Sequence, residues 1–169
     1  MRWSKLKKEL KERLADNLKD RLDYHLTSYK NSTGFIGRAW ITWDGKEILN
    51  FSNQDTVNNF DSYSNELAET NYISHEPLTL IDRHNGNLME KGEFSKYDFA
   101  ENAFRFLNLN VQDAIKSENP ILKALAVVDK RIGKRTLDEL RKSENHPMIE
   151  YLIELRTEEN TMHNTGYKP

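Results

Sequence analysis

Leucines recur at every fourth position near the start of the chain: Leu6, Leu10, Leu14, Leu18 and Leu22. That spacing puts them on one broad stripe of a helix. Lys5, Lys8, Glu9, Glu12, Arg13, Asp16 and Lys19 fill much of the remaining surface, so the pattern predicts an amphipathic helix over 4–22. Ser4 is suited to cap it. Lysines in its first turn oppose the helix dipole, so the helix depends on burying its leucine stripe.

The period then changes to two. Tyr24, Leu26 and Ser28 alternate with His25, Thr27 and Tyr29, and Asn31 to Gly37 reads as a loop. Arg38-Ala39-Trp40-Ile41-Thr42-Trp43 is answered by Lys46-Glu47-Ile48-Leu49-Asn50-Phe51 across Asp44-Gly45. An Asp-Gly pair between two β-rich runs marks a two-residue hairpin, because both central residues take positive φ. The prediction is a three-stranded antiparallel meander near 23–30, 36–43 and 46–52. If Trp40 lies on one face of it, Ile41 and Trp43 share the other.

Beyond residue 55 the spacing is helical. Asp55 or Thr56 can cap a segment carrying Val57, Phe60, Tyr63 and Leu67, and Pro77 suits a second start. Gly92 is a natural helix stop. Ser95 and Asp98 form a capping pair for Tyr97 to Leu107, and a short helix follows over Val111 to Lys116. The last third contains a weak internal repeat. Ser117-Glu118-Asn119-Pro120-Ile121-Leu122 returns as Ser143-Glu144-Asn145-His146-Pro147-Met148, and each copy sets a proline at a first helical position. Gly133 is expected to end a helix, and Thr136 with Glu139 to cap the next. These signals predict helices at 120–132, 136–142 and 147–158. The expected class is α+β: an N-terminal helix, a β-meander and a C-terminal bundle of short helices. We expect one domain over 1–158, with helix and meander in 1–52 and the helical part in 53–158, followed by a flexible tail at 159–169.

Composition narrows this picture. The chain of 169 residues has no cysteine, which removes disulfides and thiolate metal sites. The formal net charge of -2 gives no general attraction to nucleic acid or anionic membrane. The longest apolar run, Ala124 to Val128, is too short to span a bilayer, and the basic start Met1 to Lys8 lacks the apolar stretch of a signal peptide. The expected location is cytoplasmic.

Candidate chemistry is sparse. His75 and His84 have neither helical pairing nor a third ligand, so no metal is expected, and His146 reads as a helix-start residue. No nucleophile motif or phosphate-cradling glycine loop is present, so no cofactor is expected. Two surfaces remain. The aromatic hairpin offers Trp40, Trp43 and Phe51 to a partner protein, since tryptophan is a favoured interface anchor. The basic groups over residues 2–21 and at Lys130, Arg131, Lys134 and Arg135 offer phosphate contacts if the fold joins them.

Met1-Arg2-Trp3-Ser4-Lys5-Leu6-Lys7-Lys8, Gly37 to Gly45, and the stretch from Ser117-Glu118-Asn119-Pro120 to Arg135-Thr136-Leu137 resemble a family of small uncharacterised bacterial proteins. The resemblance covers most of the chain to about His146-Pro147. It implies a stand-alone cytosolic bacterial or phage-borne protein and carries over no catalytic residue. The leading expectation is a non-enzymatic protein-interaction module such as a regulator, inhibitor or accessory subunit. A nucleic-acid-binding accessory protein is the alternative. A hydrolase or transferase with a pocket at His75, Asp82 or His84 is a third.

Overall fold

The computed structural model describes residues 2–31, 34–52 and 93–157. Helix α1 (Trp3–Arg13) opens the chain and buries Leu6 and Leu10. It ends nine residues short of the expected 22. Leu14 turns extended at ψ 144 and makes an isolated antiparallel bridge with Asp129. Ala15 N–H donates to the Val128 carbonyl at 3.0 Å, and Lys130 N–H to the Arg13 carbonyl at 2.8 Å. Tertiary backbone bonds on either side of Leu14 therefore replace the helical ones, while Leu14 N–H itself still donates to the Lys11 carbonyl. The leucine stripe stays buried because Leu18 follows on a short 3-10 turn (Asp16–Leu18) and Leu22 opens the first strand.

The meander forms. Strand β1 (Leu22–Leu26) pairs antiparallel with β4 (Arg38–Trp43), and β4 pairs antiparallel with β5 (Lys46–Ser52), giving the order β1-β4-β5. The stretch expected to be a loop, 31–37, instead contributes to a small separate hairpin of β2 (Tyr29–Asn31) and β3 (Gly34–Ile36). Asp44 and Gly45 make the β4–β5 turn with φ of 49° and 76°, the left-handed pair that their sequence predicts. Ile41 faces Leu49 while Thr42 faces Glu47, so Ile48 is the extra residue of a bulge. The bulge breaks the alternation and lets the consecutive Ile48 and Leu49 both be buried.

Six helices lie among the described residues. Helix α2 (Lys96–Asn108) begins with the predicted capping box: Asp98 N–H donates to Ser95 Oγ, and Ser95 N–H donates to the Asp98 carboxylate. It packs on β4, β5, α1 and α4. Helices α3 (Val111–Ile115), α4 (Pro120–Val127), α5 (Lys134–Leu140) and α6 (Pro147–Thr157) complete the chain. Helix α4 is shorter than expected because Val128 to Ile132 turn to meet Leu14 and Arg13. Gly133 is the N-cap of α5 rather than the end of α4, so Thr136 lies inside α5 and forms no capping box. Both repeat prolines stand at first helical positions. Asn119 Oδ1 accepts from Ile121 and Leu122 N–H, and His146 Nδ1 accepts from Met148 N–H at 3.3 Å.

The core runs from the inner face of the sheet into the helices. Phe99 sits at its centre, fully buried, with ring centroids of Phe51, Trp3 and Tyr24 at 4.7, 6.2 and 6.3 Å. The helices expected near 55–67 and from 77 onward, and the tail 159–169, lie outside the described residues.

Candidate functional site

The outer face of the sheet is set by strand alternation. With Leu22, Tyr24, Ile41, Leu49 and Phe51 turned to the core, Asp23, His25, Arg38, Trp40, Thr42 and Asn50 take the opposite side. Trp40 is half-buried at the middle of this face. His25, its cross-strand partner, stacks on it with centroids 4.8 Å apart and planes at 10°. The Arg38 guanidinium lies 4.4 Å from the indole centroid and runs on to hold both oxygens of Glu47 at 2.7 and 2.6 Å. Two side chains from the sheet thus fix the orientation of the indole.

His25 Nε2 shares a 3.0 Å hydrogen bond with Thr42 Oγ1. Burial holds its imidazole below the usual range. The Lys7 and Lys11 ammonium groups act the same way, against Asp23 and Glu47, so the ring is neutral at pH 7. Lys7 and Lys11 reach Asp23 from α1 at 2.8 and 3.3 Å. Burial would raise the Asp23 carboxyl, but hydrogen bonds from Lys7 and from Tyr24 N–H outweigh it and hold the group below the usual carboxylate range. Among the described residues, two buried atoms of this face, Thr27 Oγ1 and Asn50 Oδ1, have no hydrogen-bond partner.

The three expected aromatic contacts separate. Trp43 is on the inner side, half-buried at the core margin, with the Arg21 guanidinium 4.1 Å from its ring and Arg21 paired to Asp44. Phe51 is 1% exposed and belongs to the core, because strand alternation places it beside Phe99. Only Trp40 of the three is available on the outer face.

The basic residues do converge, through the contact of Leu14 with Asp129, but most of them serve the fold. Asp129 is 1% exposed and binds Arg131 through Nε at 2.9 Å, a terminal nitrogen at 2.7 Å and the backbone N–H at 2.8 Å. Arg156 donates to the carbonyls of Val127, Asp129 and Ile132, and Arg13 to those of Phe106 and Leu107. Lys130 Nζ binds the Glu12 carbonyl. Lys134 is exposed and lines an open groove with Asn17, Lys130 and Arg156, while the exposed Arg135 pairs with Glu139 at 3.1 Å. Asp129 was not among the residues the sequence singled out, although a carboxylate directly after the apolar run Ala124 to Val128 is a signal for a buried one.

Among the described residues no three His, Asp or Glu side chains gather as a metal site, and no helix is long and apolar enough to cross a membrane. His75, Asp82 and His84 lie outside the described residues. No curated protein and no solved structure matches the chain. A family model does, over residues 2–157, and the chain belongs to the uncharacterised SF0329 protein family.

Proposed function

We propose that the chain is a protein-interaction module that docks a partner on the outer face of its sheet, with Trp40 as the anchor. The observation that carries this reading is an indole left half-exposed yet held by His25 at 4.8 Å and Arg38 at 4.4 Å. Interface hot spots are enriched in tryptophan and arginine. A side chain already fixed in the free protein loses little rotamer freedom on binding, so more of its contact energy appears as affinity. Arg38 and Glu47 beside the indole, with Asp23 and its partner Lys7 beyond His25, give the face both signs of charge, which selects register more than it adds affinity.

The nucleic-acid reading has weaker support, since Arg131 is committed to Asp129 and Arg13 and Arg156 to backbone carbonyls. The deciding experiment is capture from cells that express the chain natively, comparing wild type with Trp40→Ala. Circular dichroism first establishes that the variant is folded. The reading expects a partner that wild type retains and Trp40→Ala loses. A partner held equally by both, or retention of nucleic acid that weakens steeply with salt, sinks it.

A further inference from the structure

A groove of about 590 Å3 lies between the 3-10 turn after α1, the start of α5 and the end of α6. Its described lining carries three cations, Lys130, Lys134 and Arg156, against one carboxylate, Asp16. Asp16 is already engaged. Lys19 donates to it, and that bond, with Lys130 and Arg156 nearby, holds its carboxyl below the usual carboxylate range.

The cations are not matched in return. Arg156 donates to the carbonyls of Val127, Asp129 and Ile132, and Lys130 to that of Glu12. A carbonyl anchors a cation without cancelling its charge. Burial works against the Arg156 charge and holds its guanidinium below the usual value. The Asp129 carboxylate opposes this from the interior, but Arg131 binds both of its oxygens. Lys134 is exposed, and its ammonium has no hydrogen bond or ion pair among the described residues.

The groove therefore presents positive charge over an apolar floor of Ile132 and Leu137, which are 1% and 2% exposed. An anion entering it compensates Lys134 by contact, and Arg156 and Lys130 through their field. The adjoining surface changes sign. Beyond Lys134 and Thr157 the carboxylates of Asp138, Glu150 and Glu154 face Lys134 and Arg141. A nucleic-acid backbone carries its charge continuously and meets those carboxylates as it leaves the groove. A short acidic stretch of peptide ends before them, and its apolar side chains suit the floor.

We propose that this groove binds a short acidic segment of a partner protein. Lys134 contacts a carboxylate of the segment, and an apolar side chain between its acidic residues rests on Ile132 and Leu137. This goes beyond the docking reading and is independent of it, because no residue of the groove belongs to the sheet.

The test titrates the full chain with the synthetic peptide Glu-Glu-Leu-Glu-Glu, blocked at both ends, and follows backbone amide shifts by NMR. Gln-Gln-Leu-Gln-Gln, inorganic phosphate and duplex DNA are the comparisons. The expected result is saturable shifts at Asn17, Gly133 and Leu137 with the acidic peptide alone. Lys134→Glu should weaken the binding about tenfold, and Trp40→Ala should leave it unchanged. No saturable shift, equal shifts with the glutamine peptide or with phosphate, or wild-type affinity in Lys134→Glu overturns the proposal. Tighter binding of DNA through the same amides also overturns it. Shifts that appear only when Glu158 and Glu159 are both changed to Gln assign the groove to the chain's own residues and overturn the partner.

Discussion

Removing the Glu144 carboxylate should destabilise the fold and flatten its response to acid. Glu144 lies at the second copy of the Ser-Glu-Asn repeat, with its side chain 4% exposed. It accepts from Lys123 Nζ of α4 at 2.8 Å and from the N–H groups of Asn145 and His146 at 3.0 and 2.9 Å. It thereby joins the start of α6 to the middle of α4. Removing one partner of a buried pair costs about 3–5 kcal/mol. Lys123 retains 20% of its side-chain exposure and can turn toward water, which brings the expectation for Glu144→Ala to about 2–3 kcal/mol. At this chain length that is a fall in Tm of about 4–12 °C. The pH dependence follows from the carboxyl itself. Burial pushes its pKa up, but Lys123 and the two N–H groups outweigh burial and hold it below the ordinary 4.5. The unfolded chain therefore takes up the proton first. The stabilisation is complete above that ordinary value and drains away as pH falls through the lower folded value. Glu144→Gln keeps an acceptor for the two N–H groups and loses the charge, so its stability should fall less steeply between pH 5 and pH 3 than that of wild type. Urea denaturation followed by tryptophan fluorescence over that range measures both effects. A Glu144→Ala variant within about 0.5 kcal/mol of wild type at pH 7, or a Glu144→Gln variant with the wild-type acid slope, refutes the reasoning.

Two other outcomes follow from the core and from the hairpin turn. Phe99→Ala opens a cavity among Phe51, Tyr24 and Trp3 and should cost about 3–5 kcal/mol. Calorimetry showing a Tm shift of only a degree or two would mean that Phe99 is not at the core's centre. Gly45→Ala meets no neighbouring atom but forces a Cβ onto φ 76°. Its cost, about 1–2 kcal/mol, should therefore be conformational alone, and an unchanged urea midpoint would contradict the turn geometry.

Local signals with a short reach were legible in the sequence. Asp44-Gly45 announced the hairpin because its requirement for positive φ is met by two adjacent residues. Ser95 and Asp98 announced α2 because a capping box closes within one turn. Both repeat prolines marked helix starts, and His146 was readable as a helix-start residue from its place before Pro147. The end of α1 was not legible. The leucine period runs unbroken to Leu22, and what stops the helix after Arg13 is a backbone partner at Val128 to Lys130. Gly133 misled for a related reason: its place between two helical patterns is compatible with ending one or starting the other, and only the turn over Asp129 to Ile132 decides.

The candidate residues show the same division in sharper form. Strand alternation separates Trp40 from Ile41 and Trp43, and continued across the meander it also removes Phe51 from the outer face. The bulge at Ile48 is what makes that continuation hard to read, because it shifts the phase of β5 by one residue. The basic cluster was visible as composition, but composition does not show that Asp129 binds Arg131 or that Arg156 spends its donors on three carbonyls. Lys96 Nζ donates to Ser28 Oγ at 3.0 Å across 68 residues of the chain, and neither residue carries a motif. What brings them together is the end of β1, the capping box of α2 and the missing side chain at Gly37. A contact assembled from three such elements has no period and no spacing, so it becomes readable only after the strands and the helix have been placed.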